Sequence, residues 1–185
     1  MRKTNTNIIL VYGTSSSGKS TLCESIREKM KTPFWHFSSD HLIEAQMHPK
    51  EMFKNGTFNW NEYRPLFFDA FHRSISAYAS AGIDLIVEHI IEQRSWAHQL
   101  ADLLTDHDVF TVAAHCPMDE LERREKERGN RNIGESQFHM KTYELGIPDI
   151  EIDTTNPVQD CADEVINAWQ LREIPSHFST KWRLI

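Results

Sequence analysis

The sequence predicts an α/β fold, a parallel sheet covered by helices on both faces. Three observations predict it. Short apolar runs alternate with longer segments of helical periodicity along the whole chain. The first run, "NIILVY" (Asn7 to Tyr12), is short, apolar and β-branched, as a buried strand is. Between it and the first helical segment lies "GTSSSGKS", a glycine-bounded loop where a strand turns into a helix. The 185 residues fit one domain, 1–185, with room for a small lid or insertion.

The elements follow in order. "KSTLCESIREKM" is helical, with Leu22, Ile26 and Met30 at four-residue intervals. "FWHFSS" (Phe34 to Ser39) is a second strand, and "DHLIEAQM" a short helix with Asp40 as its N-cap or in its first turn. The stretch from His48 to Pro65 is the least regular, with Pro49 and an Asn55-Gly56 turn signal. A long helix is expected from about Asn61 to Ala81, stopped by Gly82. "IDLIVEH" is a third strand, "SWAHQLADLLTDH" an amphipathic helix and "DVFTVAAHC" a fourth strand. "MDELERREKERGNRN" begins as a charged helix and breaks at Gly129. "IPDIEID" is a fifth strand, and Pro157 opens a closing helix. The tail from Arg172 has no clear periodicity, and its Trp182 and Arg183 could dock on the body or on a second subunit, leaving a homodimer open.

The formal net charge of -7 gives little support to an electrostatic grip on nucleic acid or an anionic membrane. No apolar run approaches the roughly 20 residues of a membrane helix, and the N-terminal run is too short for a signal peptide. A cytoplasmic location is expected. Cys23, Cys116 and Cys161 are an odd number without paired spacing, which argues against a disulfide framework or a zinc knuckle. The ten histidines show no metal-binding spacing. Trp35, Trp60 and Trp96 read as core or pocket wall rather than as a base-stacking platform.

Gly-Ser stretches also make linkers, but here the flanks belong to one strand–helix unit. Gly13 to Ser20 fits G-x-x-x-x-G-K-[ST], a loop whose backbone N–H groups cradle phosphates. The candidate nucleotide-binding residues are therefore Gly13, Thr14, Ser15, Ser16, Ser17, Gly18, Lys19, Ser20 and Thr21. Gly13 and Gly18 permit the backbone path. Lys19 would neutralise β- and γ-phosphate charge, and Ser20 would ligate Mg²⁺. ATP and Mg²⁺ are the expected ligands. No N-K-x-D guanine-reading motif is present, and a motor ATPase usually needs more chain.

"IILVYGTSSSGKS", "SSDHLIEA", "EYRP", "LIVEH", "RREKERGNR" and "DIEIDTTNP" occur together in this order. In them the chain resembles the chloramphenicol phosphotransferase-like group of P-loop kinases, from about Ile8 to Trp169. Some pieces are shared more loosely with zeta-toxin-like, gluconate-type and nucleoside monophosphate kinases. The resemblance implies a five-stranded sheet in the order 2-3-1-4-5, an Arg-rich lid at about 124–137, and ATP-dependent phosphorylation of a small-molecule hydroxyl.

It makes Asp40 the catalytic carboxylate, suited to accept the hydroxyl proton at the carboxyl end of a strand. Asp40 read alone is as well explained by helix capping. It makes Arg124, Arg128 and Arg131 lid arginines that stabilise transferring phosphoryl charge; read alone, they belong to a solvated helix laced with Glu122, Glu125 and Glu127. Thr154 falls near the adenine. Asp40, His41, Glu88 and His89 are the candidate substrate-binding residues, and Glu88-His89 departs from the acidic pair the family usually carries. The wall of the acceptor pocket is expected at about 47–62. A nucleotide-sugar or other metabolite kinase, or a nucleotide-binding switch without transfer, are the alternatives.

Overall fold

A computed structural model of the protein describes residues 6–128, 134–172, 174 and 176–185, with Arg128 described in its backbone only. Five strands, β1 (Asn7–Tyr12), β2 (Trp35–Ser38), β3 (Leu85–His89), β4 (Asp108–His115) and β5 (Ile150–Asp153), form one sheet in the order β2-β3-β1-β4-β5. Every pairing is parallel. Strand order and direction are those the resemblance implied.

The apolar runs are continuous because both faces of the sheet are covered. Successive side chains of β1 point to opposite faces. Ile8, Leu10 and Tyr12 pack beneath α4 (Trp60–Ser80) and α5 (Arg94–Leu103), against Phe71, Ile75 and Leu100. Ile9 and Val11 pack on the other face beneath α1 (Lys19–Lys29) and α8 (Val158–Leu171), against Leu22, Ile26 and Val165. Each such side chain, fully buried, stabilises the fold by about 1.5–3 kcal/mol. Strand β1 is the centre of the sheet, flanked by β3 and β4, so the chain leaving its carboxyl end stands where the strand order reverses.

The sequence pattern missed several local features. The second strand is shorter than expected, because Ser38 already caps helix α2 (Ser39–Glu44): its Oγ accepts the His41 N–H at 3.2 Å. The irregular stretch holds a short helix, α3 (Lys50–Lys54), stabilised by aromatic packing of Phe53 on Trp60 at 5.2 Å. Helix α4 starts at Trp60 and carries Pro65 in its second turn. Helix α6 (Met118–Arg128) is followed, beyond the undescribed residues, by α7 (Glu135–Phe138) and a 3₁₀ turn over His139–Glu144.

The tail also has structure. It forms α9 (Phe178–Trp182), which has too few residues to show a period, and docks on the body of its own chain. Trp182 is fully buried, edge-on to Tyr12 at 5.6 Å, and its indole N–H donates to the Ile147 carbonyl at 3.0 Å. Arg183 pairs with Asp102 at 2.8 Å. No helix among the described residues is long and apolar enough to cross a membrane.

Candidate active site

The loop after β1 is shaped by what lies around it. A Cβ at Gly13 would stand 2.5 Å from the Ala114 carbonyl oxygen of β4, so only glycine lets the two backbones meet. Gly18 adopts φ +82° as the N-cap of α1, and Ser16, a non-glycine, holds φ 62°. Left-handed residues inside a loop are costly and mark a backbone bent for a purpose. The first turn of α1 has no acidic residue and no side-chain cap, which leaves its N–H groups facing outward for an anion. Ser16 Oγ is buried without a hydrogen-bond partner among the described residues. These features fit a bound polyphosphate.

Lys19 lies folded against this loop, its Nζ donating to the Thr14 carbonyl at 2.7 Å. Ser20 Oγ donates to Glu88 Oε1 at 2.9 Å, and Glu88 Oε2 lies 3.3 Å from His36 Nε2. Burial alone would raise the pKa of Glu88. The His36 imidazole, the Lys19 charge and the Ser20 hydroxyl outweigh that and hold its carboxyl below the usual range. A hydroxyl and an ionised carboxylate side by side are oxygen ligands suited to Mg²⁺.

Two cavities meet at the loop, with Ser16 and Gly18 in both walls. The larger, about 450 Å³, runs over the start of α1 between Leu22, Arg124, Thr154, Asn156 and Val158. Thr154 Oγ1 donates at 2.7 Å to the Ser17 carbonyl, and Arg124 Nη2 donates at 2.9 Å to the Thr154 carbonyl. Arg124 and Thr154 thus stand where a nucleotide held by the loop would extend. The smaller cavity, about 250 Å³, holds Lys19, Ser20, Asp40, Arg64, Glu88 and His89 in its walls.

Asp40 is the second residue of α2 and not its cap, since Ser38 fills that role. Ser38 pairs in register with Glu88, which brings Asp40 to the same end of the sheet. Among the other candidates, Ser15 lines the smaller cavity and Thr21 the larger. Thr14 and Ser17 line neither; Thr14 is fully buried, with its Oγ1 donating to the Ser136 carbonyl. His41 is exposed, stands edge-on to His36 at 4.5 Å, and is absent from the cleft wall. His89 is buried in the floor of the smaller cavity, stacked on Trp96 at 5.6 Å. The Arg128 side chain and Arg131 lie outside the described residues.

The charged helix is not solvated all round, as the sequence alone suggested. Arg123 pairs with Glu120 and Glu127 on its outer face. Glu125 is buried and accepts the N–H groups of Gly134 at 3.0 Å and Ser136 at 2.6 Å. Through the Ser136–Thr14 bond this ties α6 to the phosphate loop.

Of the stretch 47–62, only Trp60 lines the smaller cavity. The face of α4 that carries Trp60, Arg64 and Phe68 forms one wall of that cavity, with Glu92, Glu135 and His139 also lining it. The spacing i, i+4, i+8 of the first three was legible as one helix face. Arg64 pairs with Glu92 and lies over the rings of Phe68 at 4.8 Å and Trp96 at 5.1 Å.

Residues 6–170 match the model of a family described as chloramphenicol phosphotransferase-like protein. A Mycobacterium tuberculosis protein named "Putative O-phosphotransferase" is 25% identical over 193 residues, covering 93% of this chain and 86% of its own. A sugar kinase from Janibacter sp. superposes with a TM-score of 0.68 at 18% identity, over 90% of this chain and 95% of its own. The APS kinase of Mycobacterium tuberculosis, solved with AMPPNP and APS, gives 0.66 at 18% identity over 91% and 99%. The fold is that of the P-loop kinases.

Proposed function

The chain belongs to the chloramphenicol phosphotransferase-like family, and from that premise we propose that it is an ATP-dependent kinase that phosphorylates a hydroxyl group of a small organic acceptor. One observation carries the reading. Two cavities meet at the phosphate loop, and the smaller gathers Lys19, Ser20, Asp40 and Glu88 within one wall.

In this reading the nucleotide lies in the larger cavity, with its phosphates on the loop N–H groups and its γ-phosphate at the junction. Arg124 and Thr154 flank the nucleoside side. Ser20 and Glu88 would hold Mg²⁺, which would supply charge neutralisation to the oxygens of the transferring phosphates. Lys19 adds a fixed positive charge on the same oxygens. The acceptor lies in the smaller cavity with its hydroxyl beside Asp40. As the acceptor oxygen bonds to phosphorus, its proton passes to the Asp40 carboxylate and ADP leaves with the bonding electron pair. Trp60 and Phe68 offer an apolar face to the acceptor's carbon skeleton.

A panel of hydroxyl compounds, chloramphenicol included, tested for acceptor-dependent ADP release decides the matter. The expected result is release with at least one acceptor and incorporation of phosphate into it. Tight ATP binding with no acceptor-dependent release across the panel would favour a nucleotide-binding switch instead.

A further inference from the structure

A buried file of polar side chains runs from the floor of the smaller cavity to the surface. His89 Nε2 lies 2.9 Å from His72 Nε2. His72 Nδ1 lies 2.7 Å from Gln99 Oε1. Gln99 Nε2 donates to Asp69 Oδ1 at 2.5 Å, and Asp69 Oδ2 accepts from Arg73 Nε at 2.9 Å. Both imidazoles sit among the rings of Phe68, Phe71 and Trp96. Of the file, only His89 lines the cavity.

The direction of every hydrogen bond follows from the surface end. The Asp69 carboxylate, held ionised by its bonds from Arg73 and Gln99, only accepts. Gln99 must therefore turn its NH₂ to Asp69 and its carbonyl to His72. A carbonyl only accepts, so His72 Nδ1 carries a proton. Burial pushes the His72 pKa down and keeps the ring neutral, so its Nε2 is a bare acceptor. The proton between the two rings then belongs to His89 Nε2. The His89 ring is itself buried against Phe68, Phe71 and Trp96, where a second ring proton would be poorly solvated. Its Nδ1 is left with a bare lone pair, and no described residue donates to it.

We propose that His89 is a specificity-determining residue, whose bare Nδ1, fixed by the His72–Gln99–Asp69 file, accepts a hydrogen bond from an O–H or N–H group of the acceptor molecule. The inference rests on reading the smaller cavity as the acceptor site, and it narrows the acceptor's chemistry. A carboxylate or phosphate oxygen at this point would set one lone pair against another. The acceptor therefore carries a second donor group besides the hydroxyl that is phosphorylated. Losing that donor costs about tenfold in affinity. His72, Gln99 and Asp69 are positioning residues.

The test is imidazole NMR of histidine-¹⁵N-labelled protein with ADP and Mg²⁺, using benzyl alcohol and benzyl methyl ether as probes. His89 is expected to show a bare Nδ1 and a protonated Nε2. Benzyl alcohol should move the Nδ1 resonance, and the ether, which has no donor, should leave it in place. In Asp69→Asn the amide no longer dictates how Gln99 is turned, so His72 and His89 should show mixed tautomers and the alcohol response at Nδ1 should be at least roughly halved. A protonated Nδ1 in the unaltered protein, equal responses to alcohol and ether, or no response to the alcohol at saturation each overturns the proposal. None of these readouts requires phosphoryl transfer, so a chain that releases no ADP would count against the kinase reading alone.

Discussion

The two cavities on either side of the phosphate loop are built differently. The larger is lined on one side by the loop and the start of α1 and on the other by Arg124, Glu127, Thr154, Asn156, Val158 and Cys161. The loop's own shape is set by main chain: the left-handed Ser16 and Gly18, and the close pass of Gly13 against β4. The smaller draws side chains from α1, α2, α4, β3 and α7, among them the charged Lys19, Asp40, Arg64, Glu88 and Glu135. Phosphate groups are alike in every nucleotide, so backbone N–H groups suffice to hold them. An acceptor differs from one kinase to another, and only side chains can register that difference.

If this division holds, substitutions should separate the two sides. Lys19→Ala touches both, because Lys19 lines the smaller cavity directly after Gly18, which is in both walls. Its kcat/KM for ATP should fall about 10³-fold in a coupled ADP assay; unchanged turnover would remove the loop from the chemistry. Asp40→Asn should act on the acceptor side alone. A drop in kcat of about 10²–10³-fold is expected, with ATP affinity by calorimetry unchanged. Near-normal turnover would show that Asp40 is not the base.

Arg64→Ala should raise the acceptor KM about tenfold, roughly 1.4 kcal/mol, and leave the ATP KM as it was. Its partner Glu92 would then be left with His139, 3.7 Å away. A matching rise in the ATP KM would blur the division. The smallest effect concerns Glu88, whose pKa is lowered in the fold. A lowered carboxyl stabilises the protein above its unfolded pKa, and that contribution is lost as pH falls through the folded value. Urea midpoints of Glu88→Gln should therefore lack part of the acid-side decline seen in the unaltered protein. Parallel declines would assign that slope to other carboxylates.

The donor side was legible in the sequence because its residues are consecutive. A strand, a glycine-bounded loop and a helix read as one unit, and Lys19 and Ser20 take their places from the spacing alone. The sheet order needed the resemblance, since periodicity carries no information about which strands are neighbours. The acceptor side was legible only in pieces. Asp40 and Glu88 could be named, whereas of the stretch 47–62 only Trp60 lines the smaller cavity, beside Arg64 and Phe68 of the same helix. His41 follows Asp40 in sequence yet is absent from that cavity's wall, since neighbouring helical residues face different directions. The His72–His89 contact joins residues of α4 and β3 that no local pattern links. Glu125 looked like surface charge because its partners, the N–H groups of Gly134 and Ser136, are backbone atoms without a sequence signature.

The seating of Trp182 against Tyr12 has a consequence for biosynthesis. The two residues are 170 positions apart in the chain, and Tyr12 directly precedes the phosphate loop. At a synthesis rate of about 5–20 residues per second, Trp182 is made roughly 10–30 s after Tyr12. During that interval Tyr12, at the end of the central strand, lacks the Trp182 ring, and apolar surface there is left uncovered. Codon choice and chaperone supply late in translation should therefore affect the yield of folded protein more than conditions early in translation do.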